Sequence, residues 1–366
     1  MNAPTDRLAP DTLRALPPLW QADEDDVLVC CQRRQETEDV VSFLFRPQHP
    51  ALFRFNAGQF LTLEIEIDGE TVNRCYTISS PPTRPDRLSI TVKRVPGGKV
   101  SNWLHDHLRP GMSLRALGPA GEFCAGLHPA PKYLFLSGGS GITPLMSMSR
   151  SMYDLGEGSD IVFVHSARTP RDIIFRRELG ALAATQPGFR TAFVCERPGD
   201  EADWAAPTGF LTLPLLALIA PDFAEREVFC CGPAAYMAAV RAILAEAGFD
   251  MRRHHEESFT FADLAEGEAA QPVEAADTGE GHAVEFAKSG VTVRCAPGQS
   301  VLEAARVAGL RLPASCTKGV CGTCKSRLVS GRVDMTHGGG IRQREIEQGL
   351  ILPCCSMPLT DLVLDR

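Results

Sequence analysis

The sequence predicts three folded units in series: an antiparallel β-barrel, a doubly wound α/β parallel sheet and a small α+β unit. Three observations predict them. Short strand-like runs separated by turn residues fill positions 27 to 95, the pattern of a barrel. A strand, a glycine turn and a helix follow one another from Lys132 to Met148, as in parallel sheets. Near the C-terminus Cys316, Cys321 and Cys324 stand in C-x4-C-x2-C spacing, followed by a Cys-Cys pair at Cys354 and Cys355. The expected boundaries are a tail over 1–24, the barrel over 25–128, the parallel sheet over 129–261, a linker over 262–281 and the α+β unit over 282–366.

In the first unit, Val40 to Phe45, Gln59 to Ile65 and Leu88 to Lys93 read as strands, with turns at Pro47–Pro50, Asp68–Gly69 and Pro81–Pro82. Arg74, Tyr76 and Thr77 stand in R-x-Y-T order, and Gly98, Lys99, Val100 and Ser101 open a helix. Together they suit a flavin nucleotide. The guanidinium fork of Arg74 pairs with phosphate. Tyr76 stacks on the isoalloxazine, and the Thr77 hydroxyl reaches its hydride-accepting N5. The helix start offers N–H donors and the Ser101 hydroxyl to a pyrophosphate. Taken singly, Tyr76 reads equally well as a core aromatic and Arg74 as a surface ion pair.

In the second unit, Lys132 to Ser137 is an apolar strand, followed by Gly138, Gly139, Ser140, Gly141, Ile142, Thr143 and Pro144. This order presents backbone N–H groups to a dinucleotide pyrophosphate, with Pro144 suited to the first helical turn. The third glycine of G-x-G-x-x-G is replaced by Pro144, so alone the turn reads equally as a plain strand–helix connection. Asp160 to His165 and Glu227 to Cys231 read as further strands. Ser166 and Arg168 follow the first of these, where an adenosine ribose would lie; Gly232 and Pro233 follow the second.

In the third unit, the cysteine spacing is that of a plant-type [2Fe–2S] cluster. Zinc prefers paired C-x2-C knuckles. Gly319 and Gly322 let backbone N–H groups approach the sulfurs, and Ser315 and Thr323 are candidate hydroxyl donors. Cys354 and Cys355 both remain open as the fourth ligand on spacing alone.

Hydrophobic residues make up 44% and charged residues 22% of the 366, a globular composition. No apolar run approaches the ~20 residues of a membrane helix, and no signal-peptide core opens the chain. Thirteen scattered cysteines suit a reducing cytoplasm better than a disulfide frame. A net charge of −8 argues against nucleic acid as a partner. The stretch 262–281 carries only acidic charges and few large apolar residues, which reads as a solvated linker. No Rieske or 2-His-1-carboxylate ligand set is evident, so any oxygenase chemistry belongs to another chain.

The motif order Arg74–Thr77, Gly98–Ser101, Gly138–Pro144 and Cys231–Pro233 resembles the ferredoxin–NADP reductase superfamily, and the last 85 or so residues resemble plant-type ferredoxins, a β-grasp fold. The helix start at Gly98–Ser101 favours FAD, with FMN still open; the resemblance implies NADH, with NADPH still open through Ser166 and Arg168, and a [2Fe–2S] cluster on Cys316, Cys321, Cys324 and Cys354. It places Cys231 near the nicotinamide C4, as a positioning residue. It also matches Glu257 and Phe259 to the family's E-x-F ending, with Glu256 the competing carboxylate.

The domain order resembles reductases of multicomponent oxygenases and of hybrid-cluster proteins. The runs Val92–His105 and Met335–Arg344 resemble reductases of Rieske-type demethylases acting on glycine betaine and related amines. The implied function is electron transfer from NADH through FAD and the cluster to a separate Rieske-type oxygenase. A reductase of a hybrid-cluster protein and a redox sensor without turnover are the alternatives. Lys318, Lys325, Arg327, Arg342 and Arg344 form a basic stretch suited to docking an acidic oxygenase, and the linker would let the cluster unit swing.

Overall fold

The computed structural model describes residues 16–21, 26–201, 203–258, 281–310, 312, 314 and 316–366. Of the expected tail only residues 16–21 are described; the linker up to its last residue, Phe259 and Ser315 lie outside the described residues.

The first sheet is antiparallel and joins β1 (Val27–Thr37), β2 (Val40–Pro47), β3 (Phe60–Ile67), β4 (Glu70–Thr77), β5 (Leu88–Lys93) and β6 (Ser113–Ala120) in the order β4-β3-β6-β1-β2-β5. Just beyond β4, Ile78 bridges Ile90 of β5, so the outer strands meet and the sheet closes on itself. Inward residues such as Phe43, Phe45, Leu61, Leu63 and Ile90 are fully buried within it. Helix α1 (Lys99–His107) adds Val100 and Leu104 to the same core.

The second sheet is parallel: β7 (Lys132–Gly138), β8 (Asp160–Ala167), β9 (Phe189–Cys195), β10 (Glu227–Gly232) and β11 (His254–Ser258), in the order β11-β10-β7-β8-β9. Tyr133 to Leu136 are buried on both faces, which is why β7 reads as a continuous apolar run. The helices α2 (Ile142–Leu155), α3 (Arg176–Thr185), α4 (Leu213–Ile219) and α5 (Ala234–Glu246) connect the strands. The strand order reverses between β7 and β10, and ligands bind at such a switch point beyond the strands' C-terminal ends.

The third unit contains β12 (His282–Phe286), β13 (Val291–Cys295), β14 (Ser326–Ser330), β15 (Val333–Met335), β16 (Leu350–Ile351), β17 (Ser356–Pro358) and β18 (Leu362–Leu364). Five of them form the sheet β13-β12-β18-β14-β16, and β15 pairs with β17. Helix α6 (Val301–Val307) packs Val301, Ala304 and Ala305 on that sheet. Its start is a capping box between Ser300 and Glu303, the reciprocal arrangement that satisfies two free N–H groups. Helix α7 (Gln343–Glu347) is short and lies beside the first sheet's ion pairs described below.

The cluster unit is docked on the first sheet. Thr62 Oγ1 of β3 donates to the Cys321 carbonyl at 2.7 Å, and Asn73 Nδ2 of β4 donates to the Gly322 carbonyl at 3.2 Å. Glu64, 9% exposed, accepts from Lys325 at 3.0 Å and from Arg342 at 3.1 Å. Burial alone would raise the Glu64 carboxyl, but Lys325 and Arg342 outweigh it and hold the group below its ordinary range. Arg342 also donates to the Ala116 carbonyl at 2.8 Å, and Arg344 pairs with Asp26. The expected basic docking patch is corrected here: Lys325, Arg342 and Arg344 spend their charge on Asp26, Glu64 and Glu345 within the chain.

Candidate functional site

A cleft of about 1040 Å³ runs between the three units. Phe60 and Thr77 of the first sheet line it, Glu257 of β11 faces them, and Cys316, Lys318 and Val320 close its far end. One cavity therefore joins the R-x-Y-T motif to the cysteine loop.

At the first end, Cys231 and Glu257 are register partners on β10 and β11. Glu257 is half-exposed as a residue, yet its Oε2 is buried without a hydrogen bond, as is Thr77 Oγ1. Burial pushes the Glu257 carboxyl up to about 8, tempered slightly by the nearby Thr77 hydroxyl. Orphaned buried polar atoms are uncommon in folded chains, and these two face a cavity sized for a ligand. Cys231 is fully buried, and burial together with Glu257 pushes its thiol well up. A protonated thiol is a poor nucleophile, which agrees with a positioning role. Glu256 lines the same cleft, but its carboxylate is paired with Arg241 at 2.7 Å, whereas Glu257 Oε2 has no partner.

The glycine turn is built for close approach. A Cβ on Gly141 would lie 2.2 Å from the Cys231 carbonyl oxygen, so only glycine allows the turn to press against the end of β10. Gly139 adopts φ +50 with open space around it. Gly138 and Gly232 face each other beneath the Tyr236 ring. Thr143 Oγ1 donates to the Ser140 carbonyl, and Ile142, Thr143 and Pro144 begin α2. No side chain caps that start, which leaves its N–H groups for an anion. Pro233 precedes α5 in the same way.

Arg74 and Tyr76 are half-buried on β4, and Arg74 donates to the Asn73 carbonyl at 2.8 Å. Gly98 caps α1 without a side-chain bond. Lys99 is exposed, 3.5 Å from Glu70, and Val100 is core. The expectation that Ser101 offers a free hydroxyl is corrected: its Oγ accepts from Val95 N at 3.1 Å and lies 3.3 Å from the Gly98 carbonyl, so it shapes the loop. Ser166 Oγ is buried and unpartnered. Arg168 is paired with Asp39 at 3.1 Å and lies 3.6 Å from Asp172.

At the far end the four cysteines converge in two pairs. Cys316 Sγ accepts backbone N–H bonds from Lys318, Val320 and Cys321 at 3.3 to 3.4 Å. Cys316 N donates to Cys321 Sγ at 3.5 Å, and Cys324 and Cys354 Sγ stand 3.3 Å apart. Backbone donors aimed at sulfur stabilise thiolate charge, so this donor set fits an iron–sulfur cluster. Thr323 Oγ1 faces Cys75 Sγ at 3.9 Å. Cys355 also packs against the loop, with Gly319 leaving room for its sulfur.

Sequence reasoning missed Tyr236, whose buried hydroxyl lacks a partner over the glycine turn. It also missed Cys75, whose sulfur lies 3.2 Å from Thr62 Oγ1 and 3.8 Å from the Cys321 carbonyl. The position of Cys75 inside the R-x-Y-T motif was the available signal.

Residues 28–124 match the oxidoreductase FAD-binding domain, 135–242 the oxidoreductase NAD-binding domain and 284–359 the 2Fe-2S iron-sulfur cluster binding domain. The chain is 50% identical to a glycine betaine monooxygenase reductase subunit of Pseudomonas aeruginosa, over 92% of this chain and 94% of that protein. The chain belongs to the ferredoxin–NADP reductase superfamily. Within it, this reductase is 45% identical to the stachydrine N-demethylase reductase subunit of Rhizobium meliloti, over 91% and 94% of the two chains. Its fold also matches phthalate dioxygenase reductase with a TM-score of 0.56, at 25% identity over 93% of this chain and 97% of that one. The reductase is an FAD-, NAD- and [2Fe–2S]-binding oxidoreductase. No helix among the described residues is long and apolar enough to cross a membrane.

Proposed function

We propose that this reductase draws electrons from NADH and delivers them to a separate Rieske-type oxygenase that demethylates glycine betaine or a related methylated amine. The observation that carries the reading is the single cleft joining Thr77 and Glu257 to the cysteine loop, in a chain half identical to a glycine betaine monooxygenase reductase subunit. When bound, the nicotinamide supplies a hydride, the flavin divides its electron pair and the cluster relays electrons singly.

The residues act by holding and excluding. Arg74 and the uncapped start of α1, from Gly98 through Lys99, Val100 and Ser101, would hold the flavin's phosphates, with Tyr76 and Phe259 against its ring. The turn from Gly138, Gly139 and Gly141 to Thr143 and Pro144, with Gly232 and Pro233, would hold the dinucleotide pyrophosphate. Cys231, kept protonated by burial, sets the depth to which a nicotinamide enters. Thr77 offers its free hydroxyl at the reacting edge. Glu257, with its carboxyl raised to about 8, is neutral at pH 7 and able to donate there. Ser166 would lie beside the adenosine ribose. Arg168 is already neutralised by Asp39 and Asp172, which supports NADH over a 2′-phosphorylated nucleotide. Cys316, Cys321, Cys324 and Cys354 would hold the irons. All thirteen cysteines are free, in keeping with a reducing cytoplasm.

Anaerobic titration with NADH and NADPH, read by absorption, tests the chain of transfer. The reading expects NADH to bleach flavin and cluster together. Adding a purified Rieske oxygenase and glycine betaine under air should then give amine-dependent oxygen uptake. A flavin that bleaches while the cluster stays oxidised would sink the relay. Full reduction without amine-dependent uptake would sink the substrate assignment.

A further inference from the structure

One cluster of side chains at the cleft is left unused by this chemistry. His128, Glu227 and His255 bring one ligand atom each to within 4.8 Å of one another. They come from separate segments: His128 from the connection between β6 and β7, Glu227 from the start of β10 and His255 from β11. Glu227 stands four residues before Cys231 on β10, about 13 Å away at ~3.3 Å per residue. On β11, His255 stands two residues before Glu257, so the cluster occupies the same cleft beside the hydride end.

The geometry is compact. His255 Nε2 lies 2.6 Å from Glu227 Oε1. The His128 and His255 rings stack with centroids 3.7 Å apart, and Phe229 supports the His255 ring at 4.8 Å. All three residues are half-buried, so the framework is fixed while an ion can still reach it. Zinc binds imidazole nitrogen and carboxylate oxygen at about 2.0–2.2 Å in tetrahedral sites. Ligand atoms on one such ion are about 3.4 Å apart, as bond lengths in that range require. The present ligand atoms lie within 4.8 Å of one another, and the stacked His128 and His255 rings must turn edge-on for both nitrogens to face one ion.

We propose that His128, Glu227 and His255 form a site for one divalent transition-metal ion of the zinc, copper and nickel class, with water in the remaining position. Imidazole ligands select these ions over magnesium and calcium. The bound ion ties the connection between the first two sheets to β11, the edge strand that also carries Glu257 two residues on.

The test uses the full holoprotein, freed of adventitious metal and dialysed against buffered Zn2+. The wild type should hold one equivalent more than the His128→Ala/His255→Ala variant. Glu227→Gln should weaken binding by about ten-fold or more, since loss of even an outer partner of a metal site costs that much. Cu2+ added to the oxidised protein should show nitrogen hyperfine splitting in its electron paramagnetic resonance spectrum, absent from the double variant. Equal Zn2+ stoichiometry and affinity in wild type and both variants overturns the proposal. Retained flavin and cluster absorbance certifies that each variant is folded, and Glu227→Gln alone decides the matter if the double variant is not.

Discussion

Replacing Glu64 with Gln should loosen the cluster unit from the barrel without touching any cofactor-binding residue. Glu64 is 9% exposed and is shared by Lys325, also 9% exposed, and Arg342, 2% exposed. Breaking a buried ion pair by removing one partner costs about 3–5 kcal/mol. Lys325 retains Glu345 at 2.7 Å, and Arg342 retains Asp26 at 3.7 Å. The lower end, about 3 kcal/mol, is therefore the appropriate figure, and at ~1.4 kcal/mol per tenfold it shifts docking about 100-fold toward the open form. Hydrogen exchange reads such local opening directly. Peptides covering β3 and the 316–324 loop should exchange about 100-fold faster in Glu64→Gln, while the β7–β8 region is unchanged. In stopped-flow mixing with NADH, flavin reduction should keep its rate and cluster reduction should slow. Interface exchange within a factor of about three of wild type would refute the argument that these pairs hold the units together.

Three further outcomes follow from the site. Glu257 binds its proton more tightly folded, at about 8, than at its ordinary 4.5, so its contribution to stability is lost as pH rises from 4.5 through 8. Urea midpoints of the flavin-free protein should therefore fall over that window relative to Glu257→Gln, and parallel pH profiles would contradict the burial of this carboxyl. Gly141→Ala places a Cβ 2.2 Å from the Cys231 carbonyl and should slow flavin reduction by NADH by about ten-fold or more, with dithionite reduction unaffected; an unchanged NADH rate would show that the turn does not position the nucleotide. Cys354→Ser should abolish the cluster's absorption and Cys355→Ser should retain it, and the reverse result would exchange the two assignments.

Much of the architecture was written in local patterns. The apolar run of β7 followed by glycines specifies a parallel strand and its turn within ten or so residues, because burial on both faces leaves no room for polar alternation. The cysteine loop was legible for the same reason: three ligands lie within nine positions of one another. The choice between Glu256 and Glu257 was not, since it depends on Arg241 of a distant helix taking the Glu256 carboxylate. The fate of Arg342 was equally hidden. Its partner Glu64 lies in another unit, and no periodicity relates positions so far apart in the chain. His128, Glu227 and His255 escaped notice for that reason too. Ser101 carried the right residue type at a helix start, but whether a hydroxyl serves a ligand or its own loop is decided by the path of Val95 to Gly98, which tertiary packing sets.

Thr62 and Asn73 grip the carbonyls of Cys321 and Gly322, so the gap that an electron crosses is a property of a joint between surfaces rather than of the covalent thread. A tether in such an assembly has only to keep the two pieces in each other's company. Its length and composition are then free to drift. The cluster unit also becomes portable: moved to the other end of the chain, or supplied as a separate polypeptide, it would find the same seat on β3 and β4 and stand at the same distance from the flavin strand.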